Sequence, residues 1–247
     1  MDPRQLGLLA VCGAAIPLLL YGVATRVVKA AGWRPEVAGV VVLGAMIANV
    51  ALFLSAFTLA FHGQEGLSLV AAFDVGNSLV ASSVAHYVAG SYGRSHTWNW
   101  RVGIRRILTM PLLWANLLGI AANLGHWGIP AVPTHMLELL AAANTALAML
   151  TLGAFIEFRA PAWKPMLTAV AIRMGLGWVL GQVFVGLAGL TGLARTVVSV
   201  GAASPVAVMA LIYISMEGMD VELAAATLSL SILLGMVLTP LLFGLYR

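Results

Sequence analysis

The chain has 247 residues, of which 61% are hydrophobic and only 9% charged, with a mean hydropathy of +0.98. Ordinary soluble domains are about 45–50% apolar and about 25% charged, and disorder needs low hydrophobicity, so a water-soluble enzyme, a nucleic-acid binder and a disordered chain are all excluded. The formal charge of +4 is explained by the Lys and Arg bias of cytoplasmic loops and does not call for an anionic macromolecule.

Apolar stretches of about 20 residues fit membrane helices rather than the short alternating strands of a barrel. They predict an all-α polytopic membrane protein with eight transmembrane helices: Leu6–Ala24, Val37–Phe61, Leu67–Ala89, Ile107–Leu124, His135–Phe158, Pro165–Gly189, Ala194–Met216 and Asp220–Leu245. The segment after Met1-Asp2-Pro3-Arg4 is too long for the apolar region of a cleaved signal peptide. Turn chemistry falls at Gly32-Trp33-Arg34-Pro35, at His62-Gly63-Gln64-Glu65-Gly66 and at Gly128-Ile129-Pro130-Ala131-Val132-Pro133. Trp33, Trp98, Trp100, Trp127 and Trp163 lie near span ends, where an indole keeps its N–H wet and its ring apolar.

The odd-numbered connections hold nine cations: Arg26, Lys29, Arg34, Arg94, Arg101, Arg105, Arg106, Arg159 and Lys164. The other side holds only Arg4, Arg195 and Arg247, and Arg173 lies within a span. This asymmetry places the odd connections in the cytoplasm and both termini outside the cell (inner) membrane. Cys12 stands alone, and the histidines are not at metal-ligand spacing, so no metal or cofactor is expected. Neither GxSxG nor HExxH occurs, so the chain is not expected to be an enzyme.

The first three predicted helices resemble the last three at a spacing of 155 residues. Gly63-Gln64-Glu65 matches Gly218-Met219-Asp220, and Asn49 matches Ser204, with Pro205 next to it. The offset of five helices is odd, so the two triplets run through the membrane in opposite senses, which is the inverted repeat of secondary transporters. Pro205 lacks an N–H and breaks its helix. Freed backbone groups at that depth must line a cavity or be buried in protein, and paired half-helix N-termini there attract an anion.

Several segments resemble the auxin efflux carrier family of PIN-type and malonate-carrier-like permeases. They are Asn49-Val50-Ala51-Leu52-Phe53, Phe73-Asp74-Val75-Gly76-Asn77, Pro111…Asn116…Gly119…Asn123, Leu139…Asn144…Gly153, and Gly201-Ala202-Ala203-Ser204-Pro205 followed by Glu217-Gly218-Met219-Asp220. The resemblance implies two inverted repeats with two broken crossover helices, here helices 2 and 7, and transport of small organic anions. It also implies that this chain is a shortened form lacking the family's first two helices, with the family's first crossover proline replaced near Ala56. On that reading residues 1–90 and 161–247 are the two halves of the transport domain and residues 91–160 a two-helix scaffold remnant. A homodimer or a helix-supplying partner would complete the support.

Asn49, Ser204, Pro205 and Asn144 are the expected substrate-binding residues. Asp74 is a carboxylate well inside a span, where a charge is costly and usually functional. With Asn77 one turn on, it is the expected site of proton or Na+ coupling. Arg173, about 12 Å inside helix 6, is expected to snorkel to the headgroups. Gly177 and Gly181 form a small-xxx-small pair for close helix packing, and Pro17 and Pro240 are expected to kink their helices. The sequence thus predicts a permease for small organic anions working by alternating access. The competing expectation is a non-transporting membrane subunit with a structural or regulatory role.

Overall fold

A computed structural model describes residues 3–93, 105, 108–109, 111–154 and 162–246, with a number of side chains between 112 and 154, that of Asn144 among them, outside the described set. Helix α1, Pro3–Ala31, buries Leu6, Leu9, Gly13, Ile16, Leu20, Ala24 and Val28 along one stripe. The opposite face shows Val11, Leu18 and Leu19. A helix apolar on both faces suits a bilayer, not water. It runs on through Pro17 and extends seven residues past its predicted end at Ala24, until Gly32, at φ 65°, turns the chain.

Helix α2, Pro35–Met46, starts on a proline and is buried at every position from Ala38 to Met46. It stops at Met46, and Ile47 is extended (φ −97°, ψ 118°). The chain resumes as a π-helical turn, Val50–Leu54, leading into α3, Ser55–Ser82. Gly63 breaks α3 at φ 60°, ψ −152°, a backbone region essentially open only to glycine. The chain folds back there: a Cβ on Gly66 would touch Thr58, eight residues earlier, whereas a straight helix would hold them ~12 Å apart. Helix α4, Val84–Tyr92, follows, then α5, Pro111–Leu124, and α6, Ala131–Ala154. The predicted start of the fourth span at Ile107 and end of the fifth at Phe158 lie outside the described residues.

The last part also contains an interrupted helix. Helix α7, Trp163–Val170, passes through a π-helical turn, Ala171–Leu176, into α8, Gly177–Ala188. Helix α9, Gly192–Ala202, stops short, and α10, Val208–Met216, resumes after it. Gly218, at φ 65°, turns the chain into α11, Val221–Leu245, whose first turn is capped by Asp220 accepting from the Leu223 N–H at 2.9 Å. Helix α11 also runs on through its proline, Pro240.

Among the described residues four helical runs are long and apolar enough to cross a membrane: Pro3–Ala31, Val50–Tyr92, Trp163–Ala188 and Val221–Leu245. The 43-residue run Val50–Tyr92 contains the fold-back at Gly63. Pro35–Met46 and Gly192–Ala202 are apolar but shorter. Helix α1 packs along α2 and α3, α9 along α8 and α3, and α7 against α2 and α11. The two short helices α2 and α9 are therefore central, and their ends define the site.

Candidate functional site

The interruptions after α2 and α9 meet. Ala48 and Val206 oppose each other in an isolated antiparallel bridge. The Asn49 N–H donates to the Pro205 carbonyl at 2.9 Å, and the Ala207 N–H donates to the Ile47 carbonyl at 3.0 Å. These bonds flank the pair, so the N–H and C=O of Ala48 and Val206 point away from each other and need other partners. The long helices on either side supply one for each residue, and the Val50 N–H also donates to the Ala48 carbonyl at 3.0 Å. Asn77 Nδ2 of α3 donates to the Ala48 carbonyl at 3.3 Å, and Ser231 Oγ of α11 accepts from the Val206 N–H at 3.1 Å. The first break thus forms without a proline, at Ile47–Asn49 and not at the Ala56 position where the family's proline is expected. A backbone ladder and a side-chain amide do there what Pro205 does by lacking a donor.

Arg173 lies behind this junction and is 1% exposed. The expectation that it snorkels is therefore corrected. Its Nη1 lies 3.5 and 3.3 Å from the carbonyls of Ala45 and Met46, and its Nη2 is 2.6 Å from the carbonyl of Ala202. Those are the last carbonyls of α2 and α9, left without intrahelical donors by the breaks. Each helix C-terminus carries roughly −0.5 of a charge, so one guanidinium balances both. This local attraction outcompetes the headgroups. Arg173 Nε has no hydrogen-bond partner in the protein. The close approach of α8 that delivers Arg173 relies on Gly177 and Gly181, where a Cβ would run into Ala202.

On the other face of the junction is a cavity of about 270 Å³. Its wall includes Asn49, Val50 and Ala51 from one resumed helix, Ala207, Val208 and Met209 from the other, and Asp74, Asn77 and Ser78 from α3. The opening N–H groups of a helix have no intrahelical acceptor, and each helix N-terminus carries roughly +0.5 of a charge. Asp74 is 3% exposed and accepts from Asn77 Nδ2 at 3.1 Å and Ser78 Oγ at 3.0 Å. The Asn49 Nδ2 donor and the Asn77 Oδ1 acceptor are buried without protein partners. The cavity therefore offers donors of both kinds, backbone and side-chain, beside a single carboxylate.

The predicted residues divide accordingly. Asn49, Asp74 and Asn77 line the cavity together. Pro205 contributes its carbonyl to the junction, with its ring seated against Gly235. Ser204 does not line the cavity: it is buried and its hydroxyl donates back to Val200 at 3.2 Å. The side chain of Asn144 lies outside the described residues. Ser78 was missed, although it stands one turn from Asp74 as Asn77 does. The role of Ser231 toward Val206 has no sequence signal. Among the described residues no three His, Cys, Asp or Glu side chains gather to hold a metal ion.

A family model described as membrane transport protein matches residues 6–243. The chain belongs to that family. It is the auxin efflux carrier family whose motifs the sequence resembles, and the chain is a multi-pass membrane protein. The chain is also 27% identical over 198 residues to a protein of Methanothermobacter thermautotrophicus described as an uncharacterized transporter. That match covers 74% of this chain and 60% of the relative, so the chain spans less than two thirds of the relative's length.

Proposed function

We propose that the chain is a secondary transporter of small organic anions working by alternating access, with the cavity at the junction as its substrate site. The observation that carries this is the convergence of two resumed helix starts on one cavity that also holds Asp74. On this reading the protein has eight spans and two inverted three-helix units, residues 1–90 and 161–247. Helices 2 and 7 break and cross at the bridge, and residues 91–160 are the scaffold. The odd connections are cytoplasmic and both termini outside. The substrate is small, because a cavity of about 270 Å³ falls below the roughly 300 Å³ at which drug-sized pockets begin.

Charge arithmetic supports an anion with a coupled cation. Two helix starts bring about +1 in total, and an ionised Asp74 cancels it. A proton or Na+ on Asp74 restores the positive field, so one cation enters with one unit of anionic charge. Asn49 donates to the solute, Asn77 holds Asp74, and Ser204 and Pro205 act through the shape of the break. In proteoliposomes loaded with labelled mono- and dicarboxylates, the wild-type chain is expected to accumulate anion when a pH or Na+ gradient is imposed. Asp74→Asn is expected to exchange anion but to lose accumulation. If Asp74→Asn accumulates like the wild type, the coupling role is wrong; if no carboxylate moves at all, the non-transporting subunit remains. Association is expected along α5 and α6, where Leu118, Leu140 and Leu150 are exposed. A dimer mass in nanodiscs would support it, and a strict monomer that transports would not.

A further inference from the structure

A second cavity, of about 430 Å³, lies away from the junction. Two tripeptides of one pattern, Trp33-Arg34-Pro35 and Trp163-Lys164-Pro165, 130 residues apart, supply most of its wall, all but Pro35 lining it. The first joins α1 to α2 and the second opens α7, so both lie at an end of a helical run long and apolar enough to cross a membrane. We propose that this cavity binds the headgroup of an anionic phospholipid, with Arg34 and Lys164 holding its phosphate.

Three features select that ligand. The lining carries two cations and no acid, and neither cation has an ion-pair partner among the described residues. A phosphodiester bears one negative charge and accepts hydrogen bonds from guanidinium and ammonium groups alike. Two indoles flank the cations, with Lys164 Nζ 5.6 Å from the centre of the Trp163 ring, and indoles favour the headgroup level of a bilayer. Finally, the surface continues as hydrocarbon. Trp163 is 61% exposed and Leu167, one turn along the same face of α7, is 46% exposed. A free phosphate has no use for that strip; an acyl chain does. Basic pockets between membrane helices are known to take anionic headgroups for these reasons. The inference stands on this cavity alone and not on the transport reading.

The test is native mass spectrometry of the full chain in mild detergent, offered phosphatidylglycerol and phosphatidylcholine with identical acyl chains. The wild type is expected to keep one phosphatidylglycerol with at least a tenfold preference. Arg34→Gln with Lys164→Gln is expected to reduce the preference to within twofold, while Arg34→Lys with Lys164→Arg keeps it. Arg26→Gln with Lys29→Gln, which removes two cations of α1 outside the cavity, is also expected to keep it. Millimolar glycerol phosphate or inorganic phosphate is expected to leave the lipid bound. Equal retention of the two lipids, equal losses in the two glutamine pairs, or displacement by inorganic phosphate would each overturn the proposal. Helical content and monodispersity of each variant show that the comparison is between folded proteins.

Discussion

Arg173 shows what one buried side chain does when its partners are helix ends and not acids. Removing it leaves the carbonyls of Ala45, Met46 and Ala202 without a donor in a place water does not reach, at about 1–3 kcal/mol per unsatisfied group. Arg173→Met is expected to lose on the order of 3 kcal/mol, read as an early melt in detergent. Arg173→Lys should recover only part of that, because an ammonium lacks the fork that spans two helix ends. A melt like the wild type for Arg173→Met would show that the ends are satisfied another way. At this scale the sequence was half legible. Asp74, Asn77 and Asn49 stood out because polar groups in an apolar span need a reason. Arg173 stood out equally, but its depth alone could not tell a side chain reaching outward from one reaching across, since its acceptors lie 29, 127 and 128 residues away.

The elements owe their ends to different devices. Gly63 turns α3 back at an angle pair that other residues avoid, at about 1–3 kcal/mol. Gly63→Val is expected to be destabilising by that amount in thermal melts. Gly7→Ala, in α1 with open space around it, should be neutral or slightly stabilising. Ser231→Ala strips the Val206 N–H of its acceptor and is expected to cost about 1–2 kcal/mol; an unchanged melting temperature would mean the break is held by its ladder alone. The Gly-x-acid turns and the break at Pro205 were readable because glycine and proline act through their own backbones. The break at Ile47–Asn49 was placed by analogy with Ser204, but its cause was not readable, because it lies in the partner chain segment and not in local propensity.

At the scale of the whole molecule, the 155-residue spacing is visible in the paired turns, Gly63 and Gly218, both with positive φ. The bridge partners are 158 apart, three more than the turns, because the second resumed helix reaches its turn sooner: Val208 is 10 residues before Gly218, whereas Val50 is 13 before Gly63. If the junction moves as one rigid unit during transport, locking it should do little harm. A disulfide between Ala48→Cys and Val206→Cys, in a Cys12→Ser background, is expected to leave anion exchange within twofold under oxidising conditions. Loss of exchange that a reductant restores would show that the two segments part during the cycle.

The bridge has a consequence for how the protein is made. Ala48 emerges from the ribosome long before Val206, and Arg173 also arrives late. Until both are synthesised, the carbonyls of Ala45, Met46 and Ile47 and the N–H of Asn49 lack the partners they have in the finished fold, yet the hydrocarbon gives unpaired amides nowhere to go. The early half must therefore wait in a sheltered place, against an insertion factor or a water-filled vestibule, and the last third of the chain completes it. Nascent chains stopped before residue 206, carrying Ala48→Cys in a Cys12→Ser background, should stay open to protease and to maleimide at that thiol, closing only when the rest of the chain is delivered.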